Sequence, residues 1–132
     1  MNAELTICEQ VATVRVSGEL DAYTAPQVRD QMVKALEQGT RWVVADLTAT
    51  EYIDSLFLGI LVGLGKRAGE HDGDITVICD REHLLRVFDV SGTRELLNVV
   101  GTAEDAKALI AGWQSAAGIG GDDDPDREEE DS

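Results

Sequence analysis

Hydrophobic positions along the chain follow two different periods, and the changes of period mark the boundaries of the predicted elements. In residues 12–17 every second side chain is apolar, which is typical of a strand with one buried face. Residues 5–8 precede this segment, and Glu9-Gln10 between the two predicts a hairpin. Residues 42–47 are almost wholly apolar, as in a parallel strand covered on both faces. Two more strands are predicted at residues 75–79 and 96–100.

Four segments show the spacing of three and four residues that is typical of helices. The first begins near Thr24 and Pro26, which suit a cap and a first turn. The second covers residues 55–70, after a predicted loop at 48–53. Asp80 is expected to cap the third helix and Thr102 the fourth. The order ββαβαβαβα predicts an α/β fold: a single domain with an about five-stranded, mostly parallel sheet, an antiparallel edge strand and about four helices.

The charge is strongly acidic and partly concentrated at one end. The 132 residues include 26 acidic and 11 basic ones, for a formal net charge of −15. This balance argues against direct binding of nucleic acid or an anionic membrane and favours partners with basic surfaces. Residues 121–132 hold eight acidic residues and one arginine. We therefore divide the chain into a domain at residues 1–114 and a disordered acidic tail at 115–132.

Cysteine usage and the N-terminus predict a cytoplasmic protein. The first ten residues have no basic flank and no long apolar run, and no segment approaches the ~20 apolar residues of a membrane span. Cys8 and Cys79 either pair or remain two buried thiols, and a reducing cytosol favours the thiols. Neither these cysteines nor His71 and His83 have the spacing of metal ligands, so no metal or cofactor is predicted.

Enzymatic motifs are missing. Residues 53–57 place a serine after a strand but lack both glycines of a nucleophile elbow, and no glycine-rich phosphate loop follows any strand. The carboxyl ends of the predicted strands would collect carboxylates, namely Glu19, Asp21, Asp46, Glu51 and Asp54. An acidic crevice without a phosphate loop suits nucleotides poorly. Catalysis by this chain alone is not expected.

Residues 55–65, SLFLGILVGLG, form the most unusual segment. A helix on a sheet needs one apolar stripe, which Leu58, Leu61, Val62 and Gly65 supply. The remaining apolar residues are expected on or near the outer side: Leu56, Phe57, Ile60 and Leu64. A helix that is apolar nearly all round is buried on more than one side. The second burial must come from a neighbouring helix, from self-association as a weak homodimer, or from a partner. The glycines at 59, 63 and 65 indicate close helix packing.

Ser55 begins this helix, directly after Asp54. One interpretation is purely structural, because Asp or Ser at a helix start satisfies free amides. The other is an exposed hydroxyl beside an apolar surface, where a phosphate would add about −1.5 to −2 charges to a docking face.

Three motifs resemble those of the STAS domain. Residues 16–25, VSGELDAYTA, resemble its SGELD…TA motif, and residues 45–48 and 52–55, ADLT and YIDS, resemble its DLS…IDSSGLG segment. Ser91-Gly92 resembles a further recurrent stretch, and the similarity covers about residues 4–113. A free-standing chain of this kind resembles the bacterial anti-sigma factor antagonists.

The resemblance implies a function in partner switching. In that family the unphosphorylated protein binds an anti-sigma factor and so frees a sigma factor. The serine that matches Ser55 is phosphorylated by the anti-sigma factor, a serine kinase of the histidine-kinase-like fold, and a phosphatase reverses this. The implied partner-binding residues are Glu19, Asp21, Tyr23, Asp54, Ser55, Leu56, Phe57 and Ile60.

The sequence departs from the family at Leu56-Phe57, where Ser-Gly or Thr-Gly is usual. This places bulk beside Ser55 and indicates an altered choice of partner. It gives some support to a second hypothesis, an unphosphorylated STAS scaffold or regulatory subunit of a transporter or signalling complex. A third hypothesis, a small enzyme or nucleotide sensor, lacks the motifs it needs.

Overall fold

The computed structural model describes residues 2–19, 23 and 25–118, and in them the elements follow the predicted order. The strands are β1 (Asn2–Cys8), β2 (Val11–Glu19), β3 (Trp42–Tyr52), β4 (Asp74–Ile78) and β5 (Val99–Val100). The helices are α1 (Ala25–Glu37), α2 (Ser55–Glu70), α3 (Glu82–Ser91) and α4 (Ala103–Ala116). The predicted fold class is confirmed.

The sheet has its strands in sequence order, β1-β2-β3-β4-β5. β1 pairs with β2 in the antiparallel sense, and each later neighbour pairs in parallel. α1, α2 and α3 share one apolar cluster and therefore lie on the same face of the sheet. The main core lies on this face and includes Leu36, Phe57 and Phe88. α4 follows the last strand and packs on the other face, where Ala106 and Ile110 join a second apolar cluster.

β3 is longer than predicted, because residues 48–52 continue the strand instead of forming a loop. The buried Thr50 hydroxyl donates a hydrogen bond to the Val16 carbonyl at 2.8 Å, which satisfies a polar group in the core. Two irregularities in the β2–β3 register accompany the extension. As a result β3 reaches the end of β2, with Tyr52 opposite Glu19.

The prediction that Phe57, Ile60 and Leu64 face outward is wrong. All three are buried, with Phe57 at 0% exposure. α1 lies beside α2 on the same face of the sheet, so α2 buries one flank against the sheet and another against α1. The neighbouring-helix alternative therefore explains the apolar character of α2. Leu56 does remain on the surface, as predicted.

The glycines at 59, 63 and 65 of α2 differ in whether close packing leaves room for a side chain. A methyl group at Gly65 would lie 2.8 Å from Ile75 Cγ2, so the helix approaches β4 closely at this position. At Gly59 and Gly63 a methyl group would meet nothing within 4 Å. The prediction of close packing is confirmed for Gly65 and wrong for the other two.

Some turns and helix caps form where the sequence predicts them, and one predicted cap does not. Glu9 and Gln10 both have positive φ, 53° and 69°, as a tight hairpin requires. The Thr102 side chain accepts a hydrogen bond from the Asp105 N–H and caps α4 as predicted. Asp80 does not cap α3, because the helix starts one residue later at an Arg81 cap without a side-chain bond. Thr24 lies outside the described residues.

The length of β5, the exposure of one cysteine and the last residue of α4 also differ from the predictions. β5 comprises Val99–Val100 and is shorter than predicted. Cys8 is exposed and Cys79 buried, so the prediction of two buried thiols is wrong for Cys8, and both thiols are free. α4 extends to Ala116, two residues past the predicted domain limit at 114. Of the predicted tail, residues 119–132 lie outside the described part of the chain.

Candidate functional site

Ser55 is the first residue of α2 and follows the end of β3 closely. Asp54 is the N-cap residue: its carboxylate accepts a hydrogen bond from the Phe57 N–H at 3.0 Å. The Asp54 carbonyl accepts the first helical hydrogen bond, from the Leu58 N–H at 3.1 Å. Asp54 therefore determines where the helix begins, and the Ser55 side chain is exposed there.

The Ser55 hydroxyl makes no hydrogen bond to any residue that the structure describes. Two groups that line a groove with Ser55 and could act as a base both hydrogen-bond to other residues. Asp54 accepts from the Phe57 N–H, and His83 Nε2 bonds to the Glu51 carbonyl at 2.7 Å. A nucleophilic serine needs a base within hydrogen-bond reach. Ser55 is instead a free surface hydroxyl, which suits the acceptor of a modification.

Two surface grooves meet at Ser55. One runs between α1 and α2, has a volume of about 360 Å³, and includes Arg29, Leu56 and Arg67 in its lining. The other runs between the start of α2 and α3 and has a volume of about 450 Å³. Because Ser55 lines both grooves, a charge placed on it would act on both.

The α3 side of the second groove is formed by one stripe of the helix. Its members are spaced at i, i+3, i+4 and i+7, as the same face of a helix requires: His83, Arg86, Val87 and Val90. The bond between His83 Nε2 and the Glu51 carbonyl links the start of this stripe to β3. Since a carbonyl oxygen only accepts, the imidazole donates through Nε2–H. The stripe therefore has a fixed position relative to Ser55.

Large apolar side chains are exposed around Ser55. Leu56 is 43% exposed, Tyr52 53% and Val90 82%. Tyr52 and Val90 line the α2–α3 groove, and Leu56 lines the groove on the opposite side of Ser55. Exposed apolar side chains that cluster in this way are typical of protein-binding surfaces.

The predicted site residues separate into three groups. Asp54, Ser55 and Leu56 lie together at the start of α2. Phe57 and Ile60 are buried and do not form part of the surface. In the loop before α1, Tyr23 is 78% exposed, and its carbonyl accepts a 3.5 Å hydrogen bond from Gln27 Nε2.

The remaining two predicted residues are only partly described. The backbone of Glu19 ends β2 opposite Tyr52, close to the start of α2. Asp21 lies outside the described residues.

Sequence reasoning missed Tyr52, His83, Arg86 and Val90. The helical spacing of the last three could have identified the α3 stripe, but nothing in the sequence indicates that α3 lies beside Ser55.

Membrane spans and metal-binding clusters are both absent from the described part of the chain. None of its helices combines the length and the apolar character needed to cross a bilayer. In the same residues, no three His, Cys, Asp or Glu side chains come close enough together to hold a metal ion.

The chain is similar to known proteins along most of its length. The profile of the family described as "Mlab, STAS domain" matches residues 4–101. An anti-sigma-B factor antagonist of Staphylococcus epidermidis is 32% identical over 99 residues, covering 75% of this chain and 92% of that protein. The protein of the same name from Staphylococcus aureus is 30% identical with the same coverage.

Solved structures share the fold. An anti-sigma factor antagonist from Mycobacterium paratuberculosis matches with a TM-score of 0.74 and 24% identity, over 83% of this chain and 93% of that one. The Bacillus cell fate determinant SpoIIAA in its phosphorylated form matches with a TM-score of 0.67 and 21% identity, over 83% and 99% of the two chains. From its sequence motifs, its fold and these relatives, the chain belongs to the STAS-domain family of anti-sigma factor antagonists.

Proposed function

We propose that this protein binds an anti-sigma factor through the surface around Ser55, so that a sigma factor is released, and that phosphorylation of Ser55 ends the binding. The observation that carries the proposal is the free, exposed Ser55 hydroxyl between two grooves and among exposed apolar side chains. The names of its relatives support the anti-sigma partner. The direction of the switch follows the family resemblance. Such a protein acts in the cytoplasm as a regulator without catalytic activity of its own.

The proposed binding surface offers apolar contact area, and the chain that carries it is acidic overall. Leu56, Tyr52 and Val90 offer exposed apolar area, and the chain as a whole carries a formal net charge of −15. A partner with an apolar contact face fits these side chains, and basic residues elsewhere on the partner would be attracted by the net charge of the chain. A phosphate on Ser55 would add about −1.5 to −2 charges inside the contact area, where desolvation is costly. Phosphorylation therefore weakens the contact directly.

The partner is proposed to be a serine kinase as well, with a phosphatase that reverses its action. A solved phosphorylated form of SpoIIAA, a protein of the same fold, supports the phosphorylation step, and the kinase and phosphatase follow the family resemblance. The Leu56-Phe57 departure affects kinase access less than the sequence implied, because the Phe57 side chain is fully buried. Leu56 alone adds exposed bulk beside Ser55. A cognate kinase has to accommodate one leucine, not two large side chains.

The binding half of the proposal is tested with charge variants. Ser55→Glu should weaken binding to the purified anti-sigma factor by more than about tenfold, or ~1.4 kcal/mol, while Ser55→Ala changes it less than about threefold. Ser115→Glu is the matched control, because Ser115 is an exposed serine of α4 on the other face of the sheet. Equal binding of Ser55→Glu and Ser115→Glu would contradict the proposed surface.

The phosphorylation half is tested with the partner and ATP. Incubation followed by mapping of the phosphate by mass spectrometry should identify Ser55. Phosphate on a different residue, or none with a kinase that is active on another substrate, would favour the alternative of an unphosphorylated scaffold or regulatory subunit.

A further inference from the structure

The start of α2 is poorly suited to hold a phosphate by itself. A helix N-terminus attracts anions through its free N–H groups. Here the Asp54 carboxylate already accepts from the Phe57 N–H at 3.0 Å and places a negative charge next to Ser55. A phosphate on Ser55 would be repelled by this carboxylate. A stable position for it therefore requires a cation from another element.

Cations on the α1 side do not meet this requirement. Arg29 lines the α1–α2 groove, but its guanidinium is 2.9 Å from the Asp30 carboxylate, so its charge is already paired. Arg67 lines the same groove, twelve residues after Ser55 in α2. At 1.5 Å per residue the two positions are about 18 Å apart along the helix axis. Arg29 is thus paired within α1, and Arg67 lies too far along α2 to pair with a phosphate on Ser55.

The α3 side offers an unpaired cation. Arg86 lines the α2–α3 groove together with Ser55, is exposed, and makes no ion pair or hydrogen bond with any residue that the structure describes. His83 lies one turn earlier on the same stripe, with Nε2 bonded to the Glu51 carbonyl. The guanidinium has several donors in a planar arrangement that matches phosphate oxygens.

We propose that Arg86 binds the phosphate of phosphorylated Ser55 within the same molecule. This inference rests on the proposed phosphorylation of Ser55. The contact would connect the start of α2 to α3 across the groove and partly cover Val87 and Val90, which line it. Phosphorylation would then act in two ways: it adds charge to the binding surface, and it closes the α2–α3 groove to the partner.

The test places phosphoserine at position 55 during translation, by suppression of an amber codon, so that no kinase is needed. The second pKa of the phosphate is measured by ³¹P NMR in proteins with Arg86, Arg86→Gln and Arg67→Gln. Arg86→Gln should raise it by about 0.5 relative to Arg86, because a nearby cation favours the dianion. Arg67→Gln is the matched control and should leave it unchanged. The other titratable or charged groups that line a groove with Ser55 are the same in all three proteins: Tyr52, Asp54, His83 and Arg29.

The melting temperature provides a second, independent test of the contact between Arg86 and the phosphate. With phosphoserine at position 55, Arg86→Gln should lower the melting temperature more than it does with serine there, whereas Arg86→Lys should recover part of the loss. Equal pKa values for Arg86 and Arg86→Gln, or equal losses of melting temperature with serine and phosphoserine, would overturn the proposal. Normal partner binding by the phosphoserine protein, together with the expected pKa difference, would refute the proposed function and leave the Arg86 contact intact.

Discussion

The Asp54 carboxylate accepts a 3.0 Å hydrogen bond from the Phe57 N–H, and this bond caps the start of α2. The first residue of the helix, directly after the cap, is the exposed Ser55. The Phe57 side chain is fully buried in the core. One bond therefore connects the surface at which we expect regulation to the interior of the domain. The position of the Ser55 hydroxyl therefore depends on the Asp54 cap and on the buried Phe57.

We expect Asp54→Ala to lower the free energy of unfolding by about 1 kcal/mol, because the Phe57 N–H loses its acceptor. Asp54→Asn keeps an acceptor oxygen and should retain most of the stability. Urea unfolding followed by circular dichroism measures both variants. Equal losses for the two substitutions would indicate that the carboxylate matters for its charge and not as a cap.

Phe57→Ala should cost about 3–5 kcal/mol of stability, because it empties a fully buried position in the main core. Leu56→Ala, one residue earlier but exposed, should change stability by less than about 0.5 kcal/mol. Thermal and denaturant unfolding compare the two. A small effect of Phe57→Ala would return this side chain to the list of partner contacts.

Leu56→Ala and Tyr52→Ala should each weaken binding to the anti-sigma factor, by about tenfold where the side chain lies at the centre of the contact. The control is Leu96→Ala, since Leu96 is 56% exposed but precedes β5 and lines neither groove at Ser55. Isothermal titration calorimetry on folded variants gives the dissociation constants. If Leu96→Ala weakens binding as much as the other two, the binding surface lies elsewhere.

The two thiols should react at very different rates. Cys8 is exposed, whereas burial raises the pKa of the Cys79 thiol above its ordinary value. At pH 8 a disulfide reagent should modify Cys8 quickly and Cys79 only after unfolding, and Cys8→Ser should remove the fast phase. The raised pKa favours the protonated thiol in the folded state. Its contribution to stability is therefore complete below the pKa of the unfolded thiol and is lost as the pH rises through the folded pKa. Fast modification of Cys79 in the Cys8→Ser protein would contradict this environment.

Truncation after Gly120 should leave the melting temperature within about 3 °C at moderate salt. The removed residues carry eight acidic side chains and one arginine, with no large apolar group to pack. Differential scanning calorimetry on the full and truncated chains makes the comparison. A large loss would mean that the acidic segment binds basic residues of the domain, such as Lys66 and Arg67.

The amino-acid sequence by itself determined the order of elements, the start of α2 and the family. Period-two segments and caps such as Thr102 act between near neighbours in the chain, so they can be recognised without the fold. The place of Ser55 after Asp54 is of this local kind. The motifs at residues 16–25 and 45–55 then identified the STAS domain.

Only the tertiary structure decided which sides of α2 are covered and what lies beside Ser55. Phe57 and Ile60 have the same apolar character as Leu56, and only the position of α1 distinguishes buried from exposed among them. Arg86 is thirty-one residues from Ser55 and comes beside it because β4 and α3 return the chain to the same end of the sheet. Burial and proximity arise from packing between elements distant in sequence, and the periodicity of one element does not specify its neighbours.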